Sequence, residues 1–319
     1  MTSTLLAANK HTLTAITRHD STATFPPGVT VAKVDYTNPS SLTTALKDQD
    51  ALIITLSGHT PNIQETEKTI ITAAADAGVP WIFANEWSPD TANEDLVRDV
   101  FIFNSKVATR KAIMDLGFVS VSTGFWYEWS LAIAPAFGID LLKKTATLFD
   151  KGETKICVST WSQVCKPLAE SGDENVWLMG FQVGRAVTAL LSLPIESSES
   201  DARPCLADFA NKVIYVNSFT VSQKDMLDSA VRVTGTPLNE WTVTKESARE
   251  RYEKGIKEMK EGNRVGYAKM MYTRVFFEDG VGNIEEKGLA NEALGLEVED
   301  LDEATERALE RANTVQLLG

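Results

Sequence analysis

Short apolar segments alternate with longer amphipathic segments over the first part of the chain, and this alternation constrains the fold more than any other feature. The segment ALIITL at 51–56 reads as one continuous apolar strand, as expected for a strand covered on both faces. The same pattern predicts strands at 13–18, 29–34, 51–56, 81–84 and 118–122. Because strands and helices alternate, we expect an α/β fold with a doubly wound parallel sheet.

Helix-capping residues separate these strands. Asn38 predicts the start of one helix, and Gly78 predicts the end of another. Residues 104–116 predict a helix before the last of these strands, and charged amphipathic helices are expected at 246–264 and 301–315.

Composition narrows the class of protein. The formal net charge is -13 and no stripe rich in Lys and Arg is present, so binding of nucleic acid through phosphate contacts is not expected. No apolar run approaches the roughly 20 residues of a membrane span. The cysteines lack metal-ligand spacing, so no metal is expected, and their odd number fits a reducing, cytoplasmic compartment. They are Cys157, Cys165 and Cys205.

Polar and small residues cluster where the predicted strands end. Ligands of open parallel sheets bind beyond the carboxyl ends of the strands, so these positions form the candidate site for a small molecule. The residues are Thr17, Arg18, Asp35, Tyr36, Ser57, Gly58, Asn85, Glu86 and Gly124.

Several motifs in this chain resemble a known family. They are TAITR at 14–18, VDYTNPSSL at 34–42, NEWSPD at 85–90, STGFWYEWS at 122–130, VNSFTVSQKDML at 216–227 and AKMMYTRVFF at 268–277. Together they are similar to fungal NmrA-like and isoflavone-reductase-like proteins, an atypical branch of the short-chain dehydrogenases.

The resemblance implies a fold and a function. It implies a Rossmann-like NAD(P)-binding domain at 1–130 and a smaller α+β substrate-binding lobe at 131–319. The implied cofactor is NADPH, and the implied reaction is reduction of a small aromatic or conjugated carbonyl compound, with a place in secondary metabolism. No feature of the sequence predicts an oligomeric state.

The same resemblance assigns roles to the strand ends. Arg18, with Thr17 beside it, matches the position that meets the 2′-phosphate of NADP, and Asp35 and Tyr36 match the adenine edge. The small residues Ser57 and Gly58 would let the backbone approach the ribose and nicotinamide. Asn85, Glu86 and Gly124 complete the expected cofactor contacts. For Arg18 the alternative is an exposed arginine in a loop.

Lys106 is the expected catalytic residue. It aligns with the lysine that isoflavone-reductase-like enzymes place near the nicotinamide ribose, where it can act as a general base or proton donor. An apolar setting can lower the pKa of a lysine toward neutrality, which makes such a role possible. The alternative is a helical lysine on a solvated face.

Two motifs of dinucleotide-binding dehydrogenases are missing from the sequence. No G-x-x-G-x-x-G occurs, and TSTLLAANK at 2–10 looks like the last turns of the helix that should follow that loop, so the first strand is also missing and weak cofactor binding is expected. The Tyr-x-x-x-Lys motif is absent because Ile102 stands four residues before Lys106. A lysine or bound water must then handle the proton. The alternative function is a non-catalytic dinucleotide sensor or an inactive pseudoenzyme.

An aromatic cluster follows the last predicted strand of the sheet. Phe125, Trp126 and Tyr127 are expected to stack against an aromatic substrate, with Tyr272 closing the pocket. The alternative is that these rings pack between the sheet and the second lobe.

The resemblance is interrupted at 162–181. The Gln-Val pairs at 163–164 and 182–183 read like one junction opened by an insert, which is either an extra surface loop or sequence that splicing would remove.

Overall fold

A computed structural model describes residues 1–57, 60, 62–114, 116–160, 182–197 and 203–314. The expected insert at 162–181 lies outside the described residues, as do Cys165 and Gly58.

The strands and helices alternate through the first half of the chain as the sequence predicts. The strands are β1 (Leu13–Arg18), β2 (Val29–Val34), β3 (Ala51–Ile53), β4 (Trp81–Phe83), β5 (Phe118–Ser122), β6 (Phe125–Trp126), β7 (Ile139–Asp140), β8 (Thr145–Phe149), β9 (Ile156–Ser159), β10 (Lys212–Tyr215), β11 (Phe219–Val221) and β12 (Thr242–Glu246). The helices are α1 (Thr2–Ala7), α2 (Pro39–Leu46), α3 (Ile63–Ala77), α4 (Glu94–Asp99), α5 (Asn104–Ile113), α6 (Tyr127–Leu131), α7 (Ala134–Phe137), α8 (Gln182–Leu191), α9 (Gln223–Thr234), α10 (Ala248–Lys260), α11 (Arg264–Arg274) and α12 (Leu301–Thr314).

All strand pairs of the N-terminal region are parallel. β1 pairs with β2 in a two-stranded sheet, and the order β10-β5-β4-β3 makes a four-stranded sheet. No backbone ladder joins β1 to β3 in the described parts of the chain. The side chain of Ile16 in β1 nevertheless packs against the same core as Leu52 and Ile82.

β3 and β4 are shorter than predicted. The predicted strands continue to Leu56 and Ala84. After β3, side chains occupy the carbonyl groups that a longer ladder would use, and after β4 the carbonyl of Ala84 accepts from the backbone N–H of Glu86 at 2.8 Å. Trp87 Nε1 donates to the carbonyl of Ile54 at 2.9 Å, and Asn85 Nδ2 donates to that of Leu56 at 3.1 Å. The strands therefore end where the sheet's carboxyl edge becomes a layer of polar side chains.

Helices cover both faces of the sheet, which confirms the doubly wound α/β fold. On one face, Leu42 of α2, Ile70 of α3 and Ile113 of α5 join the core over β3 and β4. On the other, Ala186 and Leu190 of α8 pack against β4, β5 and β10. α8 thus covers the four-stranded sheet and β10 extends it, although both follow the predicted domain boundary at residue 130. In the described residues no helix is long and apolar enough to cross a membrane.

The helix ends follow the capping chemistry. The Asn38 side chain accepts from the backbone N–H of Ser40 at the start of α2, and Gly78 ends α3 with φ +74°. α5 stops at Ile113, three residues before its predicted end.

The C-terminal lobe has its own core beneath two mixed sheets. Their orders are β11-β9-β6 and β12-β8-β7. α10 and α12 correspond to the charged helices predicted at 246–264 and 301–315. Each buries one face, with Tyr252 of α10 and Ala308 of α12 in this core.

A buried arginine joins α4 to the C-terminal lobe. Arg274, at the end of α11, is 1% exposed, and its Nε donates to Asp99 at 2.6 Å. Its Nη2 lies 2.8 Å from Asp279, and the guanidinium lies 4.8 Å from the ring centroid of Phe277. Arg98 also pairs with Asp99, but its side chain is 65% exposed. Because both arginines share one carboxylate, they form a matched pair that differs in burial.

We expect Arg274→Met to destabilise the protein by about 1–3 kcal/mol, because the substitution removes the buried cation that Asp99 and Asp279 share. Arg98→Met should cost less than about 1 kcal/mol, because an exposed ion pair is screened by solvent. Urea unfolding followed by tryptophan fluorescence compares the two variants with the native chain. Equal losses of unfolding free energy in the two variants would show that burial does not strengthen the ion pairs of Arg274.

Candidate functional site

The carboxyl ends of β1 and β2 form the open part of the site. Arg18 ends β1, opposite Val34 of β2, with a side chain that is 66% exposed and an Nε 3.6 Å from Asp20. Thr17 Oγ1 donates to the carbonyl of Arg18 at 3.3 Å. The guanidinium of Arg18 is therefore accessible to an incoming anion.

Asp35 and Tyr36 lie beside Arg18 and have local roles as well. Asp35 Oδ1 accepts from the backbone N–H and the hydroxyl of Thr37 at 2.8 and 2.7 Å, and these bonds lower the pKa of the carboxyl. The half-buried Tyr36 donates its hydroxyl to the carbonyl of Ile16 at 3.2 Å. Burial raises the pKa of Tyr36, so the phenol stays protonated and keeps its hydrogen bond to Ile16.

Lys106 lies at the carboxyl edge of the four-stranded sheet, in the first turns of α5. Its partly buried side chain reaches back to the carboxyl end of β4, where Nζ donates to the backbone carbonyl of Asn85 at 2.5 Å. Burial lowers the pKa of Lys106 below its ordinary value, while the charges of Glu86 and Glu67 oppose that shift. The structure therefore brings Asn85 and Lys106 together, with the ammonium in a fixed position.

Glu86 is turned into the protein instead of toward a ligand. The residue is 2% exposed, and its Oε2 accepts from Arg110 of α5, Ser120 of β5 and the hydroxyl of Thr91 at 2.7 to 2.8 Å. Arg110 also donates to the carbonyl of Thr91 at 2.8 Å. In this geometry Glu86 ties the end of β4 to α5 and β5, so its predicted contact with a cofactor is not presented at the surface.

Glu67 is a residue of the site that the sequence analysis missed. Its carboxylate is 4% exposed and accepts from Asn85 Nδ2 at 2.8 Å and from Thr109 Oγ1 at 2.7 Å. The sequence contains a pattern that could have indicated its role, because Glu67 occupies the inward helical position between Ile63 and Ile70 of α3. A carboxylate on an apolar helix face requires buried polar partners.

Ser57 and Gly124 differ in what surrounds them. Ser57 is exposed, and its carbonyl accepts from the backbone N–H of Thr60 at 2.9 Å. Gly124 has φ +64°, and a Cβ there would lie 2.0 Å from the carbonyl oxygen of Cys157. The absence of a side chain at Gly124 is thus explained by the close approach of β9.

Three of the four aromatic residues are part of the C-terminal core. Phe125 and Tyr272 pack with ring centroids 4.3 Å apart, and Tyr127 has no exposed surface. The Tyr127 hydroxyl lies 2.8 Å from that of Thr305, and burial raises its pKa above the ordinary value. Burial also raises the pKa of Tyr272, to about 12. Their substrate role stays a prediction, since in this structure these rings pack as the alternative reading describes.

Trp126 points the other way. It is partly buried and packs against the core between the sheet and α8. Neighbouring residues of a strand face opposite sides, so β6 divides its side chains between two cores.

The described residues contain no cluster of His, Cys, Asp or Glu that could hold a metal ion. The exposed Arg18 lies at the carboxyl end of β1, and the anchored Lys106 lies at the carboxyl end of β4. Two cations at the carboxyl ends of parallel strands fit a nucleotide-binding oxidoreductase. Residues 1–84 match the NAD(P)H-binding family model.

Curated relatives are fungal oxidoreductases. The chain is 26% identical to oxidoreductase aprR of Aspergillus flavus over 303 residues, which cover 92% of this chain and 89% of the relative. It is also 26% identical to oxidoreductase poxI of Penicillium oxalicum over 257 residues, or 78% of this chain and 70% of the relative.

Solved structures confirm the fold. An isoflavone reductase superposes with a TM-score of 0.66 at 16% identity, covering 97% of this chain and 94% of that one. The NADPH-dependent quinone oxidoreductase QOR2 from Escherichia coli, solved with NADPH, superposes with a TM-score of 0.62 at 17% identity and covers 96% and 94%. The chain therefore has the Rossmann-like fold that these reductases share.

We expect Gly124→Ala to lower stability by about 1–3 kcal/mol more than Gly262→Ala. Both glycines have positive φ, but a Cβ at Gly262 meets open space and one at Gly124 meets backbone. Both variants lose the glycine's conformational freedom, so their difference isolates the clash. Thermal unfolding of the two variants measures it, and indistinguishable melting temperatures would contradict this packing.

Proposed function

We propose that the protein is an NADPH-dependent oxidoreductase that reduces a small aromatic or conjugated carbonyl compound. The observation that carries the proposal is the anchored ammonium of Lys106 at the carboxyl edge of an NAD(P)H-binding fold. The printed names of structural neighbours support the substrate class, because isoflavones and quinones are both conjugated carbonyl compounds. A place in secondary metabolism and a cytoplasmic location stay predictions of the sequence.

The residues present fit both ends of the dinucleotide. The exposed guanidinium of Arg18 offers a planar pair of donors for a 2′-phosphate, and Asp35 and Tyr36 lie next to it beyond β2. Asn85 and Lys106 would hold the nicotinamide end. Bound NADPH would supply the hydride that the protein cannot provide.

Lys106 would donate the proton that the reduced carbonyl oxygen takes up. An ammonium group with a lowered pKa can donate a hydrogen bond to a substrate carbonyl oxygen and release its proton as that oxygen gains charge. Asn85 fixes the direction of the Lys106 side chain before a substrate arrives, so little reorganisation is needed. No Tyr-x-x-x-Lys motif is required for this step.

A second candidate function is binding of a dinucleotide without catalysis. The sequence contains no G-x-x-G-x-x-G turn, whose backbone amides hold the pyrophosphate, and the weak cofactor binding expected without it favours a protein that does not catalyse the reaction. Titration calorimetry with NADPH, followed by assay against quinones and aromatic enones, separates the two functions. Binding without turnover would support the sensor, and turnover would support the reductase.

We expect Arg18→Gln to weaken NADPH binding roughly 10- to 100-fold, because a charge-assisted contact to the 2′-phosphate is lost. NADH binding should barely change. Lys33→Gln is the matched control, since Lys33 is an exposed cation of β2 that donates to the carbonyls of His19 and Ser21. Calorimetry with both nucleotides measures the effect, and an equal loss for NADPH and NADH would refute the assignment to the 2′-phosphate.

We expect Lys106→Met to lower kcat by roughly 10² to 10⁴, the usual contribution of a positioned acid or base. Lys111→Met is the control, because Lys111 is exposed on the same helix. The loss of NADPH absorbance in the presence of substrate measures both rates. A Lys106 variant as active as the control would remove the lysine from the mechanism.

A further inference from the structure

Lys106 is held from two directions by one continuous chain of hydrogen bonds. Its Nζ donates to the carbonyl of Asn85, and the side chain of the same asparagine donates to Glu67 at 2.8 Å. The other oxygen of Glu67 accepts from Thr109 at 2.7 Å. Thr109 stands three residues after Lys106 on α5, so the ring closes through one turn of the helix.

We propose that Glu67 is a positioning residue for Lys106, which fixes where the ammonium lies and favours its charged form; this inference rests on the proposed function of Lys106. The geometry assigns Glu67 two tasks. It joins α3 to α5 and to the segment after β4, and it places a negative charge behind the residue that would manage the proton.

The hydrogen-bonded ring through Asn85, Glu67 and Thr109 is rigid because it is buried. Glu67, Asn85 and Thr109 are each less than 10% exposed, with values of 4%, 9% and 8%. A buried carboxylate is stable only when its oxygens have donors, and both oxygens of Glu67 have one. Asn85 is fixed further because its amide also donates to the carbonyl of Leu56 at 3.1 Å. Movement of Lys106 away from Asn85 would therefore strain the ends of β3 and β4.

The charges around Lys106 come from separate elements. Glu67 approaches from α3 and Glu86 from the segment after β4, and both raise the pKa of Lys106 against the larger effect of burial. Arg110, on the same helix as Lys106, is paired with Glu86 at 2.7 Å. Glu67 has no such cation among its described partners, since it accepts only from an amide and a hydroxyl. Its charge therefore acts on Lys106 without a neutralising ion pair.

The first experiment measures the Lys106 amine directly. The native chain, Glu67→Gln and Glu65→Gln are acylated with limiting acetic anhydride over a range of pH, and modification of Lys106 is quantified by mass spectrometry. Gln is isosteric, so Glu67→Gln removes charge while it can still accept from Asn85 and donate to Thr109. We expect the pH midpoint of Lys106 acylation to move to lower pH in Glu67→Gln. It should stay at the native value in Glu65→Gln, because the Glu65 side chain is exposed on the same helix.

The second experiment tests the ring without changing any charge. Thr109→Val removes one hydroxyl and should lower kcat roughly tenfold or more through misplacement of Lys106, with little change in KM, and Thr109→Ser should restore it. In the absence of turnover, Thr109→Val should instead increase acylation of Lys106, because the side chain is held less firmly. Melting temperatures identify any variant that fails to fold.

The outcomes separate the inference from the proposed function. A native midpoint for Lys106 in Glu67→Gln, or native reactivity and kcat in Thr109→Val, would overturn the positioning role. A shifted midpoint with no turnover of any carbonyl substrate by the native chain would uphold the role of Glu67 and refute the reductase.

Discussion

The buried carboxylate of Glu86 is the interaction on which the carboxyl edge of the sheet depends. Removing an ion from water costs several kcal/mol, and an ion pair offsets that only when the remaining hydrogen bonds are also made. Glu86 is 2% exposed, and its Oε2 accepts from donors on different elements, Arg110 on α5 and Ser120 in β5, whereas its Oε1 has no hydrogen-bond partner among the described residues. Its position therefore requires β4, β5 and α5 to be in place together.

α5 is held on two sides as a consequence. Thr109 and Arg110 are consecutive residues, and each contacts a different buried carboxylate, Glu67 or Glu86. Lys106 precedes them by about one helical turn, so the helix delivers the ammonium to the carbonyl of Asn85. The lysine's placement is thus a property of three elements and not of its own helix alone.

Local patterns predicted the sheet well because strand periodicity and helix caps act over a few residues. β1, β2 and β5 begin and end where the sequence places them, and Gly78 ends α3. Partners across the fold could not be read in the same way. Glu67 contacts residues 18 and 42 positions away along the chain. Helical periodicity predicts that its side chain points inward, but says nothing about which donors it meets.

For Glu86 and the aromatic residues, too, local sequence patterns do not predict the partners that the side chains contact. A polar residue at a strand end predicts a ligand contact, whereas in this structure the partly buried Arg110 pairs with the Glu86 carboxylate. Phe125 and Trp126 are neighbours in sequence but belong to different cores, because the two-residue strand β6 sends them to opposite faces. That division follows from a short strand whose pairing with β9 becomes visible only in three dimensions.

The two cations of the site are prepared differently for an anionic ligand. The net charge of -13 repels anions, but salt screens this repulsion beyond about 8 Å at physiological ionic strength. Whether an anion binds therefore depends on the charged groups close to it. Among the described residues, Arg18 pairs with Asp20, an exposed aspartate 3.6 Å away, and such a pair stabilises the protein little. A phosphate can replace Asp20 with little loss. Lys106 is instead fixed by buried neighbours, so on the proposed function affinity is tuned at the arginine end and chemistry at the lysine end.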